Sequence, residues 1–273
     1  MNRVRGFYDK KVLYEWERLD RHRTEFALTL RAFRDYLPKP PAKILDVGGG
    51  PGRYSIALAK QGYSVTLFDI SKQCLEFAKS KAGEVGVWLE GYVHGNATNL
   101  NMFQAGSYDV VLLMGPLYHL LLKEEREKAL QEAYRVIKTG GLIFASFITR
   151  YAVIRWAAKN EPSWILKNRK RAERLLTSGI IRARKGDGFT DAYFIHPSDV
   201  KPFMEKAGFE TLDLIATEGV ISMIEEKVNE LNGELWEAWV ELNYKLGKDP
   251  TVHGAAEHLL YVGKKLPQAR VNV

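Results

Sequence analysis

Apolar residues along this chain recur in two rhythms, and the changes of rhythm divide it into segments. Between residues 9 and 36 there is no Gly or Pro, and Leu13, Trp16, Leu19, Phe26, Leu28, Leu30 and Phe33 recur at roughly helical spacing. That periodicity predicts an N-terminal helix. The run Leu37-Pro38-Lys39-Pro40-Pro41 stops it, because proline has no amide hydrogen and fixes φ. Residues 1–37 are therefore expected to form a helical segment distinct from the rest of the chain.

Beyond the prolines, short apolar runs alternate with helical patterns. Strands are predicted at 43–47, 64–69, 87–93, 109–114 and 142–148, and helices at 53–60 and after Ser71, a good N-cap. A further helix at 123–138 is expected to close on Gly140-Gly141 as its C-cap. Repeated βα units of this kind predict a parallel sheet with helices on both faces, here over residues 38–150. The alternation lapses in 151–195, which reads as a helical cap insert rich in cations and aromatics. It resumes in 196–265 with a helix at 198–207, a sixth strand at 209–216, a long helix at 223–246 interrupted by Gly233, and a last strand at 258–263. Residues 266–273 read as a loose tail.

Composition narrows the class. With 46% hydrophobic and 11% aromatic residues in 273, the chain can bury a sizeable core and is not a disordered protein. No apolar run approaches the ~18–20 residues a membrane span needs, so no membrane insertion is expected. The single cysteine, Cys74, allows neither an internal disulfide nor a cysteine zinc site. The charged N-terminus lacks the apolar stretch of a signal peptide, and a cytoplasmic location is the expectation. A net charge of +7 raises the weight of anionic partners such as nucleic acid, phosphorylated metabolites or acidic membranes, without establishing any of them.

The chemistry concentrates in ILDVGGGPGRYS, residues 44–55. A strand runs into Gly48, Gly50 and Gly52, and a helix begins at once. Glycines let backbone approach a ligand closely and permit positive φ, while a helix N-terminus offers free amides. The spacing is not the dinucleotide G-x-G-x-x-G, because the third glycine comes one position early and Arg53 stands where that pattern wants it. Asp46, two positions before the first glycine, can pair with an ammonium or shape the loop.

On these residues the segment resembles motif I of the class I S-adenosylmethionine (SAM)-dependent methyltransferases. The resemblance covers roughly residues 43–149, more weakly toward its end. It implies a Rossmann-like, seven-stranded, mostly parallel α/β sheet whose last strand, from 257–263, runs antiparallel beside the sixth. It also implies SAM as cofactor. Asp69 in VTLFDIS matches the acid that binds both ribose hydroxyls, and Ile70 the residue packed on adenine. Asn96-Ala97 in HGNATNL matches the adenine-edge motif, with Asn where Asp is commoner, and Met114 ends the fourth-strand motif. RVIKTGG resembles the family's usual entry into strand five.

The acceptor is less specified. His119, just past Met114 and of suitable pKa, is the candidate base, with Tyr118 beside it as a hydrogen-bonding or wall residue. His196 is a third candidate, with starting a helix as its alternative. Tyr8 or Tyr14 of the N-terminal segment are candidates to close over the cofactor. In the cap, Tyr151, Trp156, Trp164 and Phe189 are placed to enclose a flat or apolar acceptor, and the cations between Lys167 and Lys185 to attract an anionic one. Trp236, Trp239 and Tyr244 either line the same pocket or pack between domains. The expected activity is methyl transfer to oxygen, nitrogen or carbon of a small molecule. The alternative is a tRNA or rRNA methyltransferase using the basic cap, although Met114-Gly115-Pro116-Leu117 lacks the Asn/Asp-Pro-Pro-aromatic run of amino-methylating nucleic-acid enzymes. A nicotinamide oxidoreductase using Asp69, and a SAM-binding protein without catalysis, are further classes to separate.

Overall fold

The computed structural model describes residues 2–267; residues 268–273 of the expected tail lie outside the described residues. Strands β1 (Lys43–Val47), β2 (Ser64–Asp69), β3 (Gly91–His94), β4 (Tyr108–Leu113), β5 (Ile137–Ile148), β8 (Phe209–Ala216) and β9 (His258–Lys265) form one sheet in the order β3-β2-β1-β4-β5-β9-β8. β1, β2, β3, β4 and β5 pair in parallel, while β9 runs antiparallel to both of its neighbours. The expected Rossmann-like architecture with a final antiparallel strand is what the chain adopts.

Alternation along the strands builds two cores. Leu45, Val47, Val111 and Leu113 face one side, where Leu130 and Ala133 of α7 (Lys123–Val136) and Met204 of α10 (Val200–Lys206) cover them. Ile44, Val110, Leu112 and Phe144 face the other. There they meet Leu28 and Phe33 of α4 (Arg23–Tyr36), Leu58 of α5 (Arg53–Ala59) and Trp236 and Tyr244 of α12 (Gly233–Gly247). A period of two with both faces apolar is the signature of a sheet covered by helices on each side. Trp236 and Tyr244 are therefore packing residues.

Several expected elements differ in detail. The N-terminal helix is four pieces: α1 (Asn2–Lys10), α2 (Val12–Trp16), α3 (Arg18–Arg21) and α4. Its breaks fall at Lys11, Glu17 and His22, of which Lys11 and His22 leave helical φ/ψ without any Gly or Pro to signal it. The strand expected at 87–93 is shortened to β3, leaving Trp88 83% exposed ahead of it. Gly140-Gly141 is no C-cap: α7 ends at Val136, and the glycines lie inside β5 at a register shift against β4. A Cβ on Gly141 would come within 2.7 Å of the Asp109 carbonyl oxygen. The helix expected at 223–246 is a 3₁₀ segment (Gly219–Ile224), α11 (Glu225–Asn229) and α12, because Gly233 takes a φ of +59° that only a helix end tolerates.

The cap comprises α8 (Ala152–Asn160), α9 (Trp164–Ser178) and a small hairpin of β6 (Ile180–Ile181) and β7 (Ala192–Tyr193). It carries its own apolar centre of Ala152, Leu175, Ile181, Ala192 and Phe194 against Ile148 of β5. Among the described residues no helix is long and apolar enough to cross a membrane.

Buried charge ties the N-terminal pieces to the far end of the sheet. Arg18 donates two parallel hydrogen bonds to Glu25, at 2.6 and 3.0 Å, and a third to Glu15. His258, at the start of β9, lies 3.8 Å from Glu25 and 2.6 Å from the buried Glu218 carboxylate. Glu218 also accepts the backbone N–H groups of Glu257 and His258. Burial alone would lower the His258 pKa, but Glu218 and Glu25 outweigh it and hold the imidazole protonated up to about 9. Removing one member of such a set strands the rest, so Glu218→Gln is expected to cost roughly 3–5 kcal/mol at pH 7 by urea unfolding. The raised His258 pKa contributes stability that is complete below the unfolded value near 6.5 and lost as pH passes 9. Wild-type stability should thus fall more steeply than that of Glu218→Gln between pH 7 and pH 10, and parallel pH profiles would contradict the pairing.

Candidate active site

β2 lies on one side of β1 and β4 on the other, so the chain reverses direction across the sheet at β1, where α/β folds form their ligand crevice. A cleft partly open to solvent sits at the C-terminal ends of β1, β2 and β4. Asp46, Gly48, Gly50, Asp69, Ile70, Asn96, Ala97, Met114, Tyr118 and His119 all line it. Gly52 does not: its φ is +83°, and a Cβ there would meet Ala78 of α6 (Lys72–Glu84) at 3.0 Å. It serves helix packing rather than the cleft wall.

Two carboxylates hold the glycine loop. Asp46, 2% exposed at the end of β1, accepts the Ser55 hydroxyl at 2.7 Å and so fastens the loop to α5. A Cβ on Gly49 would lie 2.4 Å from its Oδ2. Asp69, at the end of β2, accepts the Gly50 N–H at 2.8 Å on one oxygen and the Ser71 N–H at 2.7 Å on the other. Each oxygen keeps a lone pair for a ligand hydroxyl. Gly50 has a φ of +55°, and a Cβ there would meet open space in the cleft. Burial raises Asp46 to about 7 and Asp69 to about 6. Two buried acids short of compensating charge make the cleft receptive to a cation.

On the β3 side, Asn96 Oδ1 accepts the Thr98 N–H at 3.0 Å, which leaves its NH₂ group to donate. At β4, Gly115 comes so close to the glycine loop that a Cβ would stand 2.9 Å from the Gly48 carbonyl oxygen. Tyr118 donates its hydroxyl proton back to the Met114 carbonyl at 3.2 Å. His119 is held at both nitrogens: Nδ1 lies 3.1 Å from the Asp191 carbonyl oxygen and Nε2 2.7 Å from the Tyr8 hydroxyl. A carbonyl only accepts, so Nδ1 carries the proton and Nε2 accepts from Tyr8. Burial lowers the His119 pKa to about 4 and keeps the ring neutral.

The roof comes from the N-terminal segment. Val4, Tyr8, Glu15, Arg18 and Leu19 line the cleft, whereas among the described residues none from 151–195 does. Tyr14 is 52% exposed and lies under the Arg21 guanidinium, away from the cleft. The cap reaches the site from behind, through Asp191, through Phe189, whose ring stands 5.4 Å from that of His119, and through the apolar cluster against which Tyr118 packs. Trp156 is exposed, as are Lys167, Arg169, Lys170 and Arg174. His196 accepts the Ser198 N–H as a helix-starting residue and bonds Tyr151, outside the cleft. Arg18 and Glu15 escape sequence reading because they stand among ordinary polar helix positions. The fold of the N-terminal pieces, held by the Arg18–Glu25 pair, brings them to the cleft.

Comparison with known proteins agrees with this geometry. The methyltransferase-domain family matches residues 45–145. A ubiquinone biosynthesis O-methyltransferase of Pseudomonas aeruginosa is 30% identical over 173 residues, covering 63% of this chain and 66% of the relative. One from Cronobacter sakazakii is 29% identical over 175 residues, 63% of each. The chain thus spans less than two thirds of the length of these relatives. In fold, a SAM-dependent methyltransferase of Methanosarcina mazei superposes with a TM-score of 0.60 at 20% identity, covering 87% of this chain and 98% of that one. The sheet and its crevice are those of a Rossmann-like methyltransferase fold. Residues 45–145 thus match a methyltransferase domain, and the fold built around them is the one SAM-dependent methyltransferases share.

Gly49 and Gly50 offer a contrast that checks the loop. Gly49→Ala forces its methyl onto Asp46 and Leu67 and should cost about 1–3 kcal/mol by urea denaturation. Gly50→Ala meets no atom and should cost about 1–2 kcal/mol from its positive φ alone, with Asp46 undisturbed. A clearly larger loss at Gly50 than at Gly49 would contradict this packing.

Proposed function

We propose that the protein transfers a methyl group from SAM to an oxygen or nitrogen, or to a carbon, of a small-molecule acceptor. The observation that carries this reading is the cleft in which two buried acids, Asp46 and Asp69, flank a glycine loop with open space at Gly50. A ligand with an ammonium, a sulfonium and a ribose fits such a lining better than a dinucleotide, whose pyrophosphate would meet those acids. The names of the ubiquinone-biosynthesis relatives favour oxygen as the accepting atom.

In this reading Asp69 accepts hydrogen bonds from the ribose hydroxyls, Ile70 packs against the adenine, and Asn96 donates its NH₂ to the adenine edge. Gly48 and Gly50 give close backbone approach, and Arg18 keeps N–H groups beyond those spent on Glu15 and Glu25 for a ligand carboxylate. SAM supplies a methyl group already activated by its positive sulfur. The protein's task is to align the acceptor about 3 Å away, exclude water and remove a proton where the acceptor carries one. The N-terminal roof excludes water, and His119, neutral with an unprotonated Nε2, is the proton acceptor.

Transfer from methyl-labelled SAM to a panel of phenols, catechols and amines tests the activity. Label in small molecules supports it, and label found only in added tRNA would favour the nucleic-acid reading. Asp69→Ala should weaken SAM binding by about 1–3 kcal/mol. The free protein's Asp69 and Asp46 titrate near 6 and 7, and a bound cation favours their ionised forms. Affinity for SAM should therefore fall on the order of tenfold as pH drops from 8 to 5.5, measured by calorimetry. A Kd independent of pH over that range would contradict the acidic-cleft account.

A further inference from the structure

Resting on that reading, we infer that Tyr8 of the N-terminal helix is a catalytic residue, the group that takes the acceptor's proton and relays it to His119. Both nitrogens of the His119 ring are engaged by the protein. Nδ1–H donates to the Asp191 carbonyl at 3.1 Å, and Nε2 accepts the Tyr8 hydroxyl proton at 2.7 Å. The Nε2 lone pair is thus taken by the Tyr8 hydroxyl, and Tyr8 lines the same cleft as Met114 and the glycine loop, so an acceptor there reaches the imidazole through Tyr8. The rings of Tyr8 and His119 stand 5.4 Å apart at 80°, an edge-to-face contact beside this hydrogen bond.

The placement is built rather than incidental. Asp191 holds three elements at once: its carboxylate accepts from Arg3 of α1 at 3.1 Å and from the Ala183 N–H of the cap hairpin at 2.7 Å, while its carbonyl sets the His119 tautomer. At the other end of α1, Asp9 accepts the Ser71 hydroxyl proton at 2.6 Å, one residue beyond the Asp69–Ile70 pair. Phe7 packs edge-on to Phe189 at 6.0 Å and backs the dyad. The docked helix thus joins the cofactor side of the cleft to the cap side with Tyr8 between them. Asp191 is a positioning residue.

The proton balance is simple. As the acceptor oxygen bonds to the methyl carbon and the carbon–sulfur bond breaks, the acceptor's proton moves to the Tyr8 oxygen. Tyr8's own proton moves to Nε2 of His119. The products are the methylated acceptor, a neutral sulfide and an imidazolium, which returns its proton to water when the products leave. Burial keeps Tyr8 protonated and His119 neutral beforehand, so the relay starts loaded in the required direction.

Nitrogen-15 NMR of the full-length protein with S-adenosylhomocysteine reads the dyad without turnover. The expected signature is a neutral His119 ring protonated at Nδ1, with an Nε2 resonance that moves in Tyr8→Phe. An Nε2-protonated ring, or an Nε2 resonance indifferent to Tyr8→Phe, overturns the proposal. In methyl transfer to 3,4-dihydroxybenzoate as probe, Tyr8→Phe should lower kcat on the order of 100-fold. Its KM for SAM and its affinity for S-adenosylhomocysteine should stay within about threefold, because only the transition state loses the relay. A Tyr8→Phe enzyme that binds S-adenosylhomocysteine normally and keeps full kcat overturns the relay while leaving the methyltransferase reading intact. Failure of the wild type to bind S-adenosylhomocysteine overturns that reading itself.

Discussion

The cleft depends on Asp69 accepting the Gly50 amide. That hydrogen bond ties the end of β2 to the glycine loop leaving β1, and it forms because parallel pairing brings both strand ends to one edge. With Asp46 fastening the far side of the loop to Ser55, the turn is clamped between two buried carboxylates. The clamp has an electrostatic cost, visible in the upward shift of both acids, and a bound cation relieves it. Shape and charge thus favour the same kind of ligand.

A second constraint acts from above. α1, α2 and α3 are short and could not stay folded on propensity alone. They are ordered by what they touch: Arg18 by Glu25 and Glu15, Asp9 by Ser71, Arg3 by Asp191. The turn after β2, the cap hairpin and, through Glu25, the start of β9 therefore all meet the same N-terminal helices, and a change at His258 reaches the cleft through them.

The sheet was legible in the sequence because a strand buried on both faces needs an apolar run and a turn needs glycine or proline. The runs at 43–47 and 64–69 carry those demands openly and coincide with β1 and β2. Gly140-Gly141 misled because a glycine pair marks a backbone need without saying which one, and here the need is close approach to Asp109 at a register shift. The cleft wall was legible for the same local reason, since Gly48, Gly50, Asp69 and Ile70 sit at strand ends with fixed spacing. The roof was not. Glu15 and Arg18 belong to an ordinary amphipathic pattern, and their burial is decided by Glu25 and, through it, by His258 on the last strand. The aromatic and cationic cap attracted attention by composition, yet its exposed side chains face solvent and its real contribution is the backbone carbonyl of Asp191. A carbonyl has no sequence signature.

The central claim is that this cleft is built for a methionine-derived nucleoside. Calorimetric titration of the full-length protein with S-adenosylhomocysteine and, separately, with NADH tests it most directly. The account predicts saturable binding of S-adenosylhomocysteine, sharply weakened in Asp69→Ala, and no comparable heat with NADH. Binding of NADH without S-adenosylhomocysteine would contradict it.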